Sequence, residues 1–418
     1  MEGAPAAGAA GSTTPGAAEA GEDYFSGASS VHRLMLSDRA RNDAYAAALL
    51  RHAPGRVVLD VGTGTGWLAL FAAARAGARH VFAVEACAEM AAVARELARR
   101  NGLEGRVTVL AKRGEVCARA ARSSSGDLRL PGADAPAKVE VLVSEWMGFY
   151  LLHESMVESV LVLRDRFLDP AEGVLLPSHC TMFCAPVAVE GPDGEEHGFY
   201  GLAGFDEVVF GQAPKRRLHE GAAFTQDPLG LSGRSLEGEL FQQGQPNCVH
   251  GVRPWDLLAP GAAFKQIDLY ACAAQELRQF SSGELEFQVA GSLLPLASHL
   301  GADRALWGGV AVWFDCAFRG RQGGVPDVPD VVLSTSPHAR PTHWLQTVIW
   351  LGAATDEGLE PCPVRVDPGA RVHVELEFEQ DEENPRWYDI SLSARLGAAE
   401  AAPPAAAAEP AAAGHGAR

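Results

Sequence analysis

Residues 57–66 read VVLDVGTGTG, a short apolar run that passes directly into three closely spaced glycines. Such a run entering a glycine-rich turn is typical of a buried parallel strand. Similar patterns predict further strands at 80–86, 106–111 and 139–146, and helices that end in glycine at 67–77 and 87–102. Because strands and helices alternate, this part of the chain is predicted to form a doubly wound, Rossmann-like α/β sheet.

The hydrophobic pattern of the sequence changes after Pro177, and this change predicts two domains within the 418 residues. From residue 178 to about 396, short alternating apolar runs separated by turn signals predict a mostly β domain. The two predicted domains are a cofactor-binding domain at 21–177, which contains a surface insertion at 119–138, and a β domain at 178–396, which contains a partly helical stretch at about 190–225. Disordered tails are predicted at 1–20 and 397–418.

Composition excludes several classes of function. A net charge of −18 disfavours direct binding of nucleic acid, because phosphates are repelled by an acidic surface. The eight cysteines include no CxxC pair, so the sequence supports neither a metal site nor a disulfide framework. No apolar run is long enough to span a bilayer, so no membrane partner is expected. Reduced thiols point to a protein of the nucleus, the cytoplasm or both.

The glycine turn and the acid that follows it form a candidate cofactor site, made up of Asp60, Gly62, Gly64, Gly66 and Glu85. The glycines allow a sharp turn and a close approach to a ligand, and Glu85 ends the next strand, where it can accept hydrogen bonds from ribose hydroxyls. A dinucleotide fingerprint requires glycine where Trp67 stands, and no P-loop lysine follows the turn. A ligand with a ribose and no pyrophosphate fits, which indicates S-adenosylmethionine; the alternative is a purely structural turn.

A second candidate site lies in SEWMGFYLLHESM, residues 144–156, which begins where the fourth predicted strand ends at Glu145. Glu154 follows nine residues later, and mostly apolar and aromatic residues separate the two acids. Two carboxylates that repel each other beside apolar walls favour a cation, and a guanidinium pairs with carboxylates through a planar fork of donors. Arginine nitrogens are poor nucleophiles because the group has a pKa above 12, so methylation needs such a clamp. The alternative is that both acids are ordinary surface residues.

At this point the motifs resemble a family. SEWMGFYLLHESM is similar to the double-E loop of the protein arginine methyltransferases, and Thr342, His343 and Trp344 are similar to their THW loop. WGGVAVWFDCAF, residues 307–318, and LSTSP, residues 333–337, resemble their β-barrel strands. The likeness covers about residues 22–395. The form of the double-E loop resembles the type I class, and HGVRPWDLLAP together with the compact layout is most similar to subclass six.

The resemblance implies a methyltransferase domain followed by a β-barrel with a helical dimerisation arm at about 190–225, working as a homodimer. It implies transfer from S-adenosylmethionine, leaving S-adenosylhomocysteine, to arginine in proteins such as histone tails and Gly/Arg-rich proteins, with monomethyl and asymmetric dimethyl products. The implied catalytic residues are Glu145, Glu154 and His343. The implied cofactor-binding residues are His32, Met35, Arg41, Gly62, Gly64, Gly66, Glu85, Glu115, Ser144 and Ser155.

Individual roles follow from the same resemblance. Arg41 is expected on the cofactor carboxylate and Glu115 on the adenine amino group. Met35 and Met147 are expected to shape the methyl-transfer pocket, and His343 to support the double-E loop.

The sequence also departs from the family near its N-terminus. Tyr24 and Phe25 are not followed by the expected second tyrosine, and Arg33 and Leu34 replace an acidic pair. These departures leave open a weakly active or inactive member that serves as a binding or scaffold protein. An enzyme with the same cofactor and a small-molecule substrate is a third possibility, which the double-E loop and the β-rich second half disfavour.

Overall fold

The computed structural model describes residues 35–120, 138–188, 222–227, 230–235, 249–290, 305–320, 330–355, 358–361 and 363–397. The predicted tails, apart from Gly397, and the candidate cofactor residue His32 lie outside these ranges. So do residues 121–137 of the predicted insertion and residues 190–221 of the predicted arm. The helical character of that arm therefore stays a prediction.

The first half of the chain forms the predicted α/β layer. Its strands are β1 (Val57–Val61), β2 (His80–Glu85), β3 (Val107–Ala111), β4 (Val141–Ser144) and β5 (Val174–Leu176). Its helices are α1 (Arg39–His52), α2 (Trp67–Ala74), α3 (Ala88–Arg100), α4 (Gly114–Ala120) and α5 (Val157–Phe167). All five strands pair in parallel in the order β3-β2-β1-β4-β5. The order reverses between β1 and β4, and open α/β sheets bind ligands beyond the carboxyl ends of the strands at such a point.

The packing of this layer explains why an apolar run without alternation forms its central strand. Every residue of β1 is buried, because helices cover both faces of the sheet. The helix α2 contributes Ala69, Ala72 and Ala73 to the core, and these small side chains let the helix lie close to the strands. Asp38 caps the start of α1 by accepting a hydrogen bond from the backbone nitrogen of Arg41 at 2.9 Å.

The second half is mostly antiparallel β-structure, as predicted. One sheet contains β6 (His179–Ala188), β9 (Val249–His250), β10 (Ala262–Asp268), β13 (Ala305–Phe318), β14 (Val331–Ser334), β15 (Gln346–Trp350) and β18 (Val364–Val366). Another contains β7 (Ala222–Asp227), β8 (Gly230–Ser235), β11 (Gln279–Ser281), β12 (Leu285–Gln288), β19 (Arg371–Gln380) and β20 (Tyr388–Leu396). The strands β16 (Gly352–Thr355) and β17 (Gly358–Pro361) form a hairpin, and α6 (Gln275–Arg278) is a single turn. Residues of β13, β19 and β20 share one hydrophobic core with the α/β layer.

Several predicted boundaries were wrong. The helix predicted at 67–77 ends at Ala74, because the chain turns back at once to enter β2 and Gly77 adopts φ +72° in that turn. The strand β4 ends at Ser144, one residue before Glu145. Residues 222–225 of the predicted arm belong to the strand β7, which pairs with β8. Residues 119–120 of the predicted insertion complete α4. None of the described helices has the length and apolarity that a bilayer crossing requires.

Candidate active site

The glycine turn lies at the carboxyl end of β1. Gly62, Gly64 and Gly66 all have positive φ, at +70°, +55° and +88°, a region that residues with a Cβ atom rarely occupy. A Cβ atom on Gly62 would lie 2.7 Å from the Cε atom of Met156, the last residue of the double-E loop. The positive φ angles therefore favour glycine at all three positions, and the two candidate sites predicted from sequence are in contact.

Glu85 lies beside this turn at the end of β2. Its Oε2 atom accepts a hydrogen bond from the backbone nitrogen of Gly64 at 2.7 Å, and its Oε1 atom accepts one from the nitrogen of Cys87 at 2.9 Å. The carboxylate is thus fixed at the position that the sequence assigned to a ribose acceptor. Each Glu85 oxygen has a further lone pair, so the carboxylate can accept from ribose hydroxyls while it keeps these backbone contacts.

Asp60 is the acid beneath the turn, and it is fully buried. Thr63 donates its hydroxyl to the Oδ2 atom of Asp60 at 2.6 Å, whereas the Oδ1 atom has no hydrogen-bond partner among the described residues. Burial raises the pKa of Asp60 from 3.8 to about 7, despite the hydrogen bond from Thr63.

This shift predicts a pH-dependent stability. The pKa of Asp60 is higher in the folded than in the unfolded protein, so protonation of Asp60 favours the folded state. This stabilisation is fully present below pH 3.8 and is lost as pH rises to about 7. We expect the Asp60→Asn variant to become more stable relative to the wild type across this range, measured by urea unfolding at several pH values. The exposed Asp43→Asn variant serves as a control. A constant difference between Asp60→Asn and wild type would contradict the shift.

The double-E loop has an unusual backbone. Tyr150, Leu151, Glu154 and Ser155 all have positive φ, between +41° and +74°. Residues other than glycine pay a conformational cost in this region, so the surrounding structure must hold them there. Such strain is concentrated at functional sites more often than elsewhere in a fold.

Two contacts from the β domain hold the loop. The indole nitrogen of Trp344 donates to the carbonyl of Met147 at 2.8 Å. The backbone nitrogen of Glu154 donates to the carbonyl of Arg386, in the turn between β19 and β20, at 2.7 Å. The loop is therefore built jointly by the α/β layer and the β domain.

Glu145 is paired with Arg41. The Nη2 atom of Arg41 lies 3.1 Å from the Oε2 atom of Glu145, and each side chain is only 6% exposed. The Nη1 atom of Arg41 donates to the side chain of Asn42 at 2.9 Å. A buried carboxylate is costly without a cation, so the contact with Arg41 helps to hold the Glu145 side chain in place.

Glu154 is paired with a different arginine. The Nη2 atom of Arg386 lies 3.3 Å from the Oε2 atom of Glu154. Burial raises the pKa of Glu154, the charge of Glu145 raises it further, and the guanidinium of Arg386 lowers it in part.

His343 is tied to the start of α1. Its Nδ1 atom and its backbone nitrogen each lie 2.8 Å from the Oδ2 atom of Asp38. Although burial raises the pKa of Asp38, hydrogen bonds from His343 and Arg41 bring it below its ordinary value. The imidazole also contacts the indole of Trp344, with ring centroids 3.8 Å apart. The THW loop thereby connects the double-E loop to the helix that carries Arg41.

The other residues that the sequence predicts to bind the cofactor each contact a different part of the protein. Glu115 accepts a hydrogen bond from the hydroxyl of Ser159 on α5. The hydroxyl of Ser144 is buried and donates to the carbonyl of Val61 at 2.7 Å, so it joins β4 to β1. The Oγ atom of Ser155 accepts from the side chain of Gln380 at 3.0 Å. Met35 precedes the cap of α1, and its carbonyl accepts from the nitrogen of Asp38 at 3.2 Å.

Sequence reasoning did not identify Asp38, Tyr45, Met156 or Arg386 as parts of this site. An aspartate directly before a helical pattern is a capping signal, so Asp38 was detectable as a cap and not as the partner of His343. Arg386 is 232 residues away from Glu154, and no local pattern indicates that pairing.

Comparison with known proteins agrees with this geometry. A model of the arginine methyltransferase oligomerization subdomain matches residues 231–398, and a methyltransferase-domain model matches residues 58–125. A probable protein arginine N-methyltransferase 6.1 from Oryza sativa subsp. japonica is 32% identical over 389 residues, covering 88% of this chain and 83% of the relative.

Solved structures give the same result. Arabidopsis thaliana protein arginine methyltransferase 10 superimposes with a TM-score of 0.61 at 28% identity, covering 89% of this chain and 94% of that one. The crystal structure of PRMT6 with SAH superimposes with a TM-score of 0.58 at 26% identity, covering 87% of this chain and 99% of that one. Because a relative at 32% identity covers 88% of this chain and the oligomerization-subdomain model matches residues 231–398, the chain belongs to the protein arginine N-methyltransferase family.

Proposed function

We propose that this protein transfers methyl groups from S-adenosylmethionine to guanidino nitrogens of arginine in proteins, as a type I enzyme with monomethyl and asymmetric dimethyl products. The observation that carries the proposal is the pair Glu145 and Glu154. The two carboxylates stand in the same double-E loop, and each already binds one of the protein's own guanidinium groups. A site that binds guanidinium from within is chemically suited to a substrate arginine.

The residues of the glycine turn fit S-adenosylmethionine. The positive φ angles at 62, 64 and 66 favour glycine and allow a ligand to approach the backbone, and Glu85 is held where it can accept from ribose hydroxyls. Glu115 would bind the adenine amino group, and Arg41 would bind the carboxylate of the methionine portion. When bound, the cofactor supplies an electrophilic methyl group. The solved complex of PRMT6 with SAH supports this assignment.

The chain's own residues perform the rest of the chemistry. Glu145 and Glu154 would hold the guanidinium in one orientation and draw its positive charge away from the attacking nitrogen. Arg41 and Arg386 keep the two carboxylates fixed, so little reorganisation is needed when the substrate binds. Because its pKa is raised, the Glu154 carboxylate is suited to take up the proton that the substrate nitrogen loses.

Substrates, assembly and location follow as further parts of the proposal. The acidic chain, with a net charge of −18, attracts basic segments such as histone tails and Gly/Arg-rich proteins. The match to an oligomerization subdomain supports a homodimer, with residues 190–221 as its proposed arm. We propose that the protein works in the nucleus, the cytoplasm or both.

The test uses labelled S-adenosylmethionine with an arginine-rich peptide and a matched peptide in which lysine replaces arginine. We expect label on the arginine peptide alone, with asymmetric dimethylarginine identified by mass spectrometry. Symmetric dimethylarginine would contradict the type I assignment. Cofactor binding without transfer would favour a scaffold protein, and label only on a small molecule would favour a different methyltransferase.

The cofactor assignment makes its own prediction. Glu85→Ala should weaken binding of S-adenosylhomocysteine by on the order of 10- to 100-fold, because the ribose hydroxyls and the Gly64 nitrogen lose a charged acceptor. Isothermal titration calorimetry measures the affinity. Glu89→Ala, an exposed acid on the neighbouring helix α3, is the control and should bind normally. If both variants bind as tightly as the wild type, Glu85 does not contact the ribose.

A further inference from the structure

Tyr45 is a completely buried phenol that the proposed chemistry leaves without a role. It lies on α1, and its hydroxyl donates to the carbonyl oxygen of Ser144 at 2.9 Å. The same hydroxyl lies 3.5 Å from the Sδ atom of Met147. Ser144 and Met147 are on either side of Glu145, so one buried hydroxyl contacts the chain both before and after the carboxylate residue.

Arg41 precedes Tyr45 by four residues on the same helix, and therefore projects from the same face. Its guanidinium carbon lies 5.7 Å from the centre of the Tyr45 ring, while its Nη2 atom binds the carboxylate of Glu145. One face of α1 thus holds Glu145 in two ways, with Arg41 on the side chain and Tyr45 on the backbone.

Ser144 is held by hydrogen bonds through both its side chain and its backbone carbonyl. The hydroxyl of Ser144 donates to the carbonyl of Val61 on β1, and the carbonyl of Ser144 accepts from Tyr45. The Tyr45 ring is itself held by an edge-on contact with Phe318 of the β domain, with ring centroids 4.9 Å apart. The hydroxyl therefore has little freedom to follow a displaced backbone.

The chemistry of Tyr45 favours positioning over proton transfer. Burial, followed by the charge of Glu145, raises the pKa of Tyr45 well above its ordinary value of 10, so the hydroxyl keeps its proton and remains a donor. A buried hydroxyl is costly without a partner, which makes the Ser144 carbonyl its required acceptor.

We propose that Tyr45 is a positioning residue for Glu145, whose hydroxyl fixes the Ser144 carbonyl and so sets where the Glu145 carboxylate meets the substrate guanidinium. The inference rests on the proposed arginine methylation. It adds a residue that neither binds the cofactor nor touches the substrate, and that acts on transfer through the backbone of β4.

Tyr45→Phe tests this directly, because it removes the hydroxyl and keeps the ring. We expect kcat to fall about tenfold, since a small displacement of a catalytic group is costly to rate. The Kd for S-adenosylhomocysteine and the KM for the peptide should each change by less than about twofold, because ground-state binding is retained. Melting temperature is recorded for every variant.

The matched control is Tyr270→Phe. The Tyr270 hydroxyl also has two backbone partners, the nitrogen of Leu175 at 3.0 Å and the carbonyl of Arg319 at 3.3 Å, but it contacts no residue of the double-E loop among its described partners. We expect this variant to retain the wild-type kcat. Ser144→Ala removes the second hydrogen bond of the same peptide segment, and it should lower kcat. It carries the test if Tyr45→Phe does not fold.

The outcomes separate the two levels of the proposal. Wild-type protein that methylates no arginine contradicts the proposed function and this inference together. Active wild-type protein with a fully active Tyr45→Phe variant contradicts the inference alone. Equal losses of kcat in Tyr45→Phe and Tyr270→Phe, each in step with melting temperature, would make Tyr45 merely structural and would also overturn it.

Discussion

Glu154→Gln is expected to abolish methyl transfer while cofactor affinity stays close to that of the wild type. The amide is nearly the same size as the carboxylate, but it cannot pair with a guanidinium as an anion or take up its proton. Removing one such electrostatic contact typically lowers kcat by on the order of 10²- to 10³-fold. The readouts are label transfer to an arginine peptide and calorimetric binding of S-adenosylhomocysteine.

Glu158→Gln is the matched control for this variant. Glu158 lies on α5, four residues further along the chain, and its carboxylate pairs with Arg278 at 3.0 Å. The Glu158→Gln variant should transfer methyl groups at a rate within about twofold of the wild-type rate, because a partly exposed ion pair outside the site contributes little. A Glu154→Gln variant that keeps most of the activity would remove Glu154 from the proposed clamp.

Arg41→Lys is expected to impair both transfer and cofactor binding. Lysine keeps the positive charge, but its ammonium group cannot contact Glu145 and Asn42 together as the planar guanidinium does at 3.1 and 2.9 Å. We expect transfer to fall by on the order of 10²-fold through displacement of Glu145. We expect affinity for S-adenosylhomocysteine to fall about tenfold, because a charge-assisted hydrogen bond to the cofactor carboxylate is weakened.

Arg39→Lys controls for the loss of a guanidinium from α1, since Arg39 is exposed at the first residue of that helix. It should behave as the wild type in both measurements. If Arg41→Lys loses transfer but binds the cofactor normally, Arg41 supports Glu145 alone and does not reach the cofactor carboxylate. If neither property changes, the buried pair has no part in the reaction.

The pairing of each glutamate with an internal arginine explains how two buried acids tolerate one another. An unpaired carboxylate in an apolar site would be protonated at neutral pH, and a protonated acid cannot clamp a cation. Arg41 offsets this cost at Glu145, and Arg386 offsets it in part at Glu154, whose pKa remains raised.

Local patterns were sufficient to predict the α/β layer and the position of both sites. The strand VVLDV, the glycines at 62, 64 and 66, and Glu85 follow one another within a single strand-helix-strand unit, so their geometry depends on nearby residues. The same holds for the double-E loop, because a parallel strand delivers the residue that follows it to the carboxyl edge of the sheet.

Local sequence patterns could not predict contacts between segments that lie far apart in the chain. The Asp38–His343 and Arg386–Glu154 pairs join residues 305 and 232 positions apart, and both form only when the β domain packs on the α/β layer. Tyr45 reads in sequence as one more apolar position of a helix, and its hydroxyl contact with Ser144 depends on how that helix packs against β4. Helix ends were imprecise for a related reason, since Gly77 marks the following turn and not the last residue of α2.

The most direct test of the central claim is a crystal structure of the protein with S-adenosylhomocysteine and a peptide that contains one arginine. We expect the peptide guanidinium within hydrogen-bond distance of both Glu145 and Glu154, with its free nitrogen facing the cofactor sulfur. A complex in which the peptide arginine binds elsewhere, while Arg41 and Arg386 keep the two carboxylates to themselves, would contradict it.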